Sequence, residues 1–196
     1  YQLPIWSEFA MLTIACFKAG AVAHPIAMSY EEKELIRSMN VTESKVYFGT
    51  TFFYKTDYEK RILAVKDQIP TLKKIVLLDY TREREHDLPV LREILESYEP
   101  LKKEECVHTL TGEDIAVILC TSGTTGGTKG VMLSHDNVRY SEDTFNKELK
   151  LTEEDIMFMP APLHHATGFH HAVIATMLHG AKMVLQQKYH CRAAID

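Results

Sequence analysis

Between Thr121 and Gly130 the chain gathers the residue types that hold phosphate. Gly123, Gly126, Gly127 and Gly130 allow positive φ and close backbone approach, so successive amide N–H groups can converge on an anion. The hydroxyls of Thr121, Ser122, Thr124 and Thr125 add donors, and Lys129 adds positive charge. Together they supply what a triphosphate needs. A Walker-type loop is excluded, because it requires a second glycine directly before the lysine and a Ser or Thr directly after it, at the opening of a helix. Here Thr128 precedes Lys129 and Gly130 follows it. The run Ile115–Cys120 is short, continuous and apolar, as in a buried strand, and Val131–Leu133 is a second such run. The loop is therefore expected to join strand to strand. The ordered spacing and the flanking runs weigh against a solvated Gly/Thr linker.

A second chemically loaded stretch spans Pro162 to Gly168 and includes His164 and His165, with His170 and His171 just beyond. Four histidines at these spacings could line one helix face and invite a metal. No Asp, Glu or Cys completes a ligand set at a recognisable spacing, so no metal site is expected in this chain. A single histidine here could instead donate a hydrogen bond to a carboxylate or to developing charge.

The whole sequence sets limits on partners. Its 196 residues carry a net charge of −5, with 45% hydrophobic and 25% charged residues, which describes a globular chain able to bury a core. Mild acidity without a basic stripe argues against nucleic acid as a partner. No apolar run is long enough for a transmembrane segment and no signal peptide is recognisable, so a cytoplasmic protein is expected. Cys16, Cys106, Cys120 and Cys191 form no CxxC pair and no disulfide framework, and thiols are expected. Oligomeric state is not legible.

The elements that must position the two stretches follow from hydrophobic periodicity. Helices are expected over Trp6–Lys18, stopped by Gly20, and over Tyr30–Asn40, Asp57–Gln68 and Leu88–Tyr98. Strands are expected at Ala21–Pro25, Lys45–Phe48 and Lys73–Leu78. The charged run Thr81–Asp87 reads as a solvated connector, and residues 100–112 as a polar connector before the phosphate loop. Beyond the loop, Ser134 is a candidate N-cap for a helix running towards Leu149. Strand Asp155–Pro160, helix Gly168–Leu178 closed by Gly180, and strand Lys182–Gln186 complete the order. Strands separated by helices imply parallel pairing through right-handed crossovers, and hence an α/β fold of parallel-rich sheets with flanking helices.

The loop closely resembles the Thr-Ser-Gly-Thr/Ser-Thr-Gly-x-Pro-Lys-Gly signature of adenylate-forming enzymes, a family that includes acyl-CoA synthetases, aryl-CoA ligases, luciferases and the adenylation domains of peptide synthetases. Thr128 stands where that family usually has proline, which loosens the loop exit without removing a phosphate ligand. Leu3–Phe9, Lys18–Val22 and Ser134–Val138 resemble further phrases of acyl-CoA synthetases, and an amphipathic helix feeding a strand would also account for the first two. His135 at the helix start could touch phosphate, or be structural. The stretch around His165 resembles the Pro-Leu-x-His-x-x-Gly segment, whose histidine lies beside the carboxylate and the forming acyl-adenylate. It tilts the resemblance towards CoA ligases.

The resemblance implies that residues 1–196 are part of a large AMP-binding domain, with the small C-terminal domain absent and the fragment inactive alone. It implies a two-step reaction: a carboxylate and ATP give acyl-AMP and pyrophosphate, and coenzyme A then displaces AMP. Thr121, Ser122, Gly123, Thr124, Thr125, Gly126, Gly127 and Lys129 would hold the phosphates, and His165 would be catalytic. Mg²⁺ would neutralise phosphate charge through a protein ligand outside this chain. The acid would be a fatty acid or a relative of one, and Phe169 with its neighbours would border its pocket. A peptide-synthetase adenylation domain, a phosphotransferase using the same loop and a non-catalytic ATP-binding module remain the alternatives.

Overall fold

The computed structural model describes residues 1–79, 88–100, 102, 105, 109–122 and 128–195. The chain divides into two compact units, one of Tyr1–Leu3, Ile26–Val107 and Cys120–Val131, the other of Pro4–Pro25, His108–Leu119 and Met132–Asp196.

The first unit is built on a parallel strand pair. Strand β1 (Val46–Thr50) lies beside β4 (Lys74–Leu78), in register from Val46 opposite Lys74 to Thr50 opposite Leu78. The crossover carries a small antiparallel hairpin, β2 (Phe52–Phe53) and β3 (Thr56–Asp57), and then helix α3 (Tyr58–Val65) with a 3₁₀ turn to Gln68. Residues 75–78 of β4 are all buried, as expected of a strand covered on both faces. Helix α2 (Glu32–Val41) buries Leu35 and Met39, four apart and so on one face, while α3 buries Tyr58, Ile62 and Val65. Leu35, Met39, Ile62 and Val65 meet Ile26, Tyr47, Ile69, Ile75 and Leu77 in one core. The polar groups within that core are paired. The Tyr47 hydroxyl donates to Gln2 Oε1 at 2.8 Å, and Gln2 Nε2 donates to the Ala27 carbonyl at 2.7 Å. Helix α4 (Leu91–Ser97) follows, starting later than Leu88 because residues 89 and 90 pair with β4: the Pro89 carbonyl accepts from the Leu77 amide at 2.8 Å and Val90 forms a parallel bridge with Leu77.

In the second unit, α1 (Ser7–Ala19) ends at Gly20 in the left-handed conformation, φ 67°. The expected strand at Ala21–Pro25 is reduced to a single parallel bridge between Ala23 and Val117. Pro25 has no N–H with which to continue a ladder, so one register of bonds is all this segment makes. Strand β5 (Ile115–Ser122), of which residues 115–119 belong to this unit, pairs with β6 (Thr128–Ser134), of which residues 132–134 do, and α5 (His135–Leu149) follows at once. Ser134 caps α5 in a reciprocal box: its Oγ accepts from the Asn137 amide at 3.2 Å, and Asn137 Oδ1 accepts from the Ser134 amide at 3.1 Å.

Parallel strands β7 (Ile156–Met159) and β8 (Lys182–Leu185) are joined through a helical crossover. That crossover is not the single α-helix expected from periodicity. Residues Gly168–Ile174 form a π-helix and only Ala175–His179 are α-helical, as α6. Phe169, Ala172, Val173 and Ala175 are wholly buried there. The short helix α7 (Cys191–Ile195) ends the description. Among the described residues the pairs β1–β4 and β7–β8 are parallel, each joined through a helical crossover, in agreement with the α/β class. Among the described residues no helix is long and apolar enough to cross a membrane, and Cys16, Cys120 and Cys191 make no disulfide.

Candidate active site

The loop expected to hold phosphate is entered and left by paired strands, as its flanking apolar runs predict, and both strands reach further than those runs. β5 extends through Thr121 and Ser122, and β6 begins at Thr128, so Lys129 stands in a strand with an exposed side chain. Paired strands joined by residues 123–127 alone must form a hairpin, since a parallel crossover needs a dozen residues or more. Thr121 is exposed where the strand runs out. Gly123, Thr124, Thr125, Gly126 and Gly127, all expected to cradle phosphate, lie outside the described residues. Behind the loop entrance, Cys120 is half-buried with its Sγ 3.5 Å from the Ser38 hydroxyl, and burial pushes the thiol above its ordinary pKa. It is held as a thiol, not as a nucleophile. Lys129 belongs to the first unit and His165 to the second.

His165 sits on a turn directly after β7. Its amide donates to the Pro162 carbonyl at 3.1 Å, and its own carbonyl accepts from the Phe169 amide at 2.8 Å, so the residue is fixed at both ends. The side chain is exposed. Its Nδ1 accepts from the Thr167 amide at 3.4 Å. An Nδ1 that accepts leaves the ring proton on Nε2, which makes the neutral imidazole a hydrogen-bond donor through that nitrogen. Its neighbour His164 is half-buried, and burial, with repulsion from His165 when that ring is protonated as the smaller cause, lowers its pKa to about 4. His164 is therefore neutral near pH 7.

Gly168 makes this turn tight. A Cβ at position 168 would lie 2.8 Å from the Pro162 carbonyl carbon and 2.9 Å from Leu163 Cα, both backbone atoms. Only glycine lets the π-helix start against the turn that carries His165.

His170 and His171 do not join His164 and His165 in a metal constellation. Among the described residues no group of three or more His, Cys, Asp or Glu side chains is arranged to hold a metal ion. His170 and His171 turn instead to Glu142 on α5, whose side chain is 0% exposed. His171 Nδ1 is 3.1 Å from Glu142 Oε2, and because a carboxylate only accepts, His171 carries its proton on Nδ1. His170 Nδ1 lies 3.3 Å from Oε1 but outside hydrogen-bond geometry. The Ser141 hydroxyl is 3.1 Å from Oε1. Burial pushes the Glu142 carboxyl upwards, yet the contacts from His170 and His171 outweigh it and hold the group below its ordinary value. The His171 ring is stacked on Phe145, 4.0 Å between centroids and 18° between planes.

One turn further along α5, Asn146 Nδ2 donates to the Ala175 carbonyl at 3.0 Å and lies 2.6 Å from His179 Nδ1. Glu142 and Asn146 were not among the residues the sequence singled out. The signal was present: Val138, Glu142 and Phe145 fall at i, i+4 and i+7 of one helix stripe, so an acid occupies a position where an apolar residue is expected.

A family profile described as AMP-binding enzyme matches residues 2–195. The medium-chain fatty-acid–CoA ligase of Escherichia coli K12 is 40% identical over 185 residues, covering 94% of this chain and 32% of the relative. A luciferin 4-monooxygenase of Photuris pensylvanica is 27% identical over 169 residues, covering 82% of this chain and 30% of the relative. Among solved structures, ATP-bound MatB from Rhodopseudomonas palustris superimposes with a TM-score of 0.81 at 24% identity, over all of this chain and 37% of that one. The anthranilate CoA ligase AuaEII in complex with anthranoyl-AMP gives 0.82 at 20% identity, over 96% of this chain and 35% of that one. These structural likenesses establish the fold. The chain spans about a third of the length of the curated relatives it matches.

Proposed function

The chain belongs to the AMP-binding enzyme family, and from that premise we propose that the protein it contributes to is an AMP-forming acid–thiol ligase acting on a fatty acid, of medium chain length. The observation that carries this reading is the likeness of nearly the whole chain to a medium-chain fatty-acid–CoA ligase. In the first half-reaction a carboxylate oxygen attacks the α-phosphorus of ATP, the bond to the bridging oxygen breaks, and pyrophosphate leaves. In the second, the sulfur of coenzyme A attacks the acyl carbonyl of the acyl-adenylate, its proton is lost, and AMP departs.

Residues 1–196 supply part of a large AMP-binding domain to this reaction. Thr121, Ser122, Thr124, Thr125 and Lys129 hold the β- and γ-phosphates that leave as pyrophosphate, with Gly123, Gly126 and Gly127 exposing backbone N–H groups to them. His165, its Nδ1 engaged by Thr167, donates through Nε2 to the substrate carboxylate and orients it for attack. The buried face of Phe169 supports the wall of the acyl pocket. Mg²⁺ would neutralise charge on the triphosphate, held by a protein ligand outside residues 1–196. The protein works in the cytoplasm.

The test is carboxylate-dependent ATP–pyrophosphate exchange by the full-length protein over a panel of fatty, aromatic and amino acids, with Lys129→Ala and His165→Ala alongside. Exchange with medium-chain fatty acids is expected, reduced roughly a hundredfold or more in either variant, the scale for losing one preorganised charge-stabilising donor. ADP formation would mean a phosphotransferase. Firm ATP binding with no exchange for any acid would mean a non-catalytic module. Exchange with amino acids alone would mean a peptide-synthetase-type domain.

A further inference from the structure

We propose that Glu142 is a positioning residue for the carboxylate-activating turn: one buried carboxylate faces both His170 and His171, holds residues 168–174 in their π-helical winding, and thereby fixes the turn that presents His165. The role rests on the reading of His165 given above.

The argument starts from helix geometry. At 3.6 residues per turn, neighbours on an α-helix point about 100° apart, so two consecutive side chains do not share one acceptor on a facing helix. Residues 168–174 do not wind that way. The Ala175 amide reaches back to the His170 carbonyl, the i→i−5 step of a π-helix, which fits more residues into each turn and narrows the angle between neighbours. Nδ1 of His170 and of His171 accordingly come within 3.3 and 3.1 Å of the two oxygens of Glu142. The carboxylate favours the wide turn, and the wide turn is what lets both rings reach the carboxylate. Asn146 fastens the end of the same segment through the Ala175 carbonyl and His179, so α5 grips the crossover at two successive turns.

The segment so gripped ends where His165 is held. Gly168 abuts the Pro162 and Leu163 backbone without room for a Cβ, and the Phe169 amide donates to the His165 carbonyl. Rewinding the helix by one residue would turn Phe169, now 0% exposed, by about 100° and draw that amide away from His165. The position of the imidazole that faces substrate is thus set through two backbone contacts from a carboxylate that touches no substrate. A buried acid in an apolar stripe has a use here that core packing alone does not provide.

The experiment is steady-state exchange by the full-length protein, wild type against Glu142→Gln, with the KM values for acid and for ATP measured separately. Gln keeps the shape but offers one acceptor and an NH₂ group where two acceptors stood. The acid KM is expected to rise and kcat to fall, together on the order of a hundredfold in kcat/KM for the acid, the scale for about 1 Å of misplacement at a reacting group. The KM for ATP is expected to stay. A role confined to stability would reduce active protein equally for both substrates and leave both KM values unchanged; a folded Glu142→Gln protein behaving so would overturn the proposal. Should that variant not fold, His171→Leu and His171→Gln decide. Leu is expected to raise the acid KM and Gln, which still donates to the carboxylate, to restore most of it; equal KM values in the two would overturn the proposal. A wild-type protein without exchange for any acid would instead overturn the reaction reading, and this role with it.

Discussion

Replacing Gly168 by alanine tests the tightest point of the site. The added Cβ would stand 2.8 Å from the Pro162 carbonyl carbon and 2.9 Å from Leu163 Cα, where ordinary contact begins at 3.4 Å. The Pro162 carbonyl oxygen is nearer still, and all three neighbours are backbone, so no rotamer change relieves the clash and either the π-helix or the 162–165 turn must retreat by at least roughly 0.6 Å. Overpacking of this kind costs about 1–3 kcal/mol of stability. Its larger effect falls on His165, whose amide bonds to Pro162 and whose carbonyl bonds to Phe169, on either side of the intruding methyl. Since about 1 Å of misplacement can cost a hundredfold in rate, roughly half that displacement should cost about tenfold in kcat/KM for the acid. The assay is acid-dependent exchange with ATP saturating, beside a thermal melt. Gly180→Ala serves as the comparison: its φ is +68° but its nearest neighbour is Glu153 Cβ at 3.9 Å. That variant is strained by about 1–2 kcal/mol without a clash and should melt earlier at unchanged exchange rate. Gly168→Ala with wild-type exchange and wild-type acid KM would refute the reasoning.

Two further outcomes follow from geometry elsewhere in the second unit. Ser134→Ala removes one half of the capping box on α5 and should lower stability by about 1 kcal/mol in denaturant melts, with Ser134→Asp restoring most of it; equal midpoints for Ser134→Ala and wild type would contradict the cap. His24 is 8% exposed, and burial lowers its pKa from 6.5 to about 3. The unfolded chain therefore binds this proton more readily than the folded one, so full stability holds above about pH 6.5 and is lost as pH falls towards 3. At about 1.4 kcal/mol per pH unit, the loss at pH 5 is roughly 2 kcal/mol. The stability gap between wild type and His24→Leu should shift by that amount between pH 7 and pH 5, and a gap that does not change with pH would rule the effect out.

The sequence determined the order of elements, because that order rests on local information. The burial of residues 75–78, the stripe Tyr58, Ile62 and Val65, and the Ser134 cap are written in periodicity and residue type, and each appears where those signals put it. The strands on either side of the expected phosphate loop were legible for the same reason, since short continuous apolar runs mark them. Tertiary structure decided what depends on partners far apart in the chain. The hairpin β2–β3 turns through Tyr54 at φ 52°, a left-handed position held by a residue that carries no turn signal. Ala21–Pro25 reads as a strand from its apolar residues, but Pro25 and the single partner Val117 limit it to one bridge. The π-helix could not be read from its own residues, because Gly168–Leu178 carries ordinary helical periodicity. Its winding depends on Glu142, 26 to 32 positions earlier than the segment it holds. Burying a charge is favourable only where its partners already stand, and which histidines stand there is settled by packing, not by the sequence around either of them.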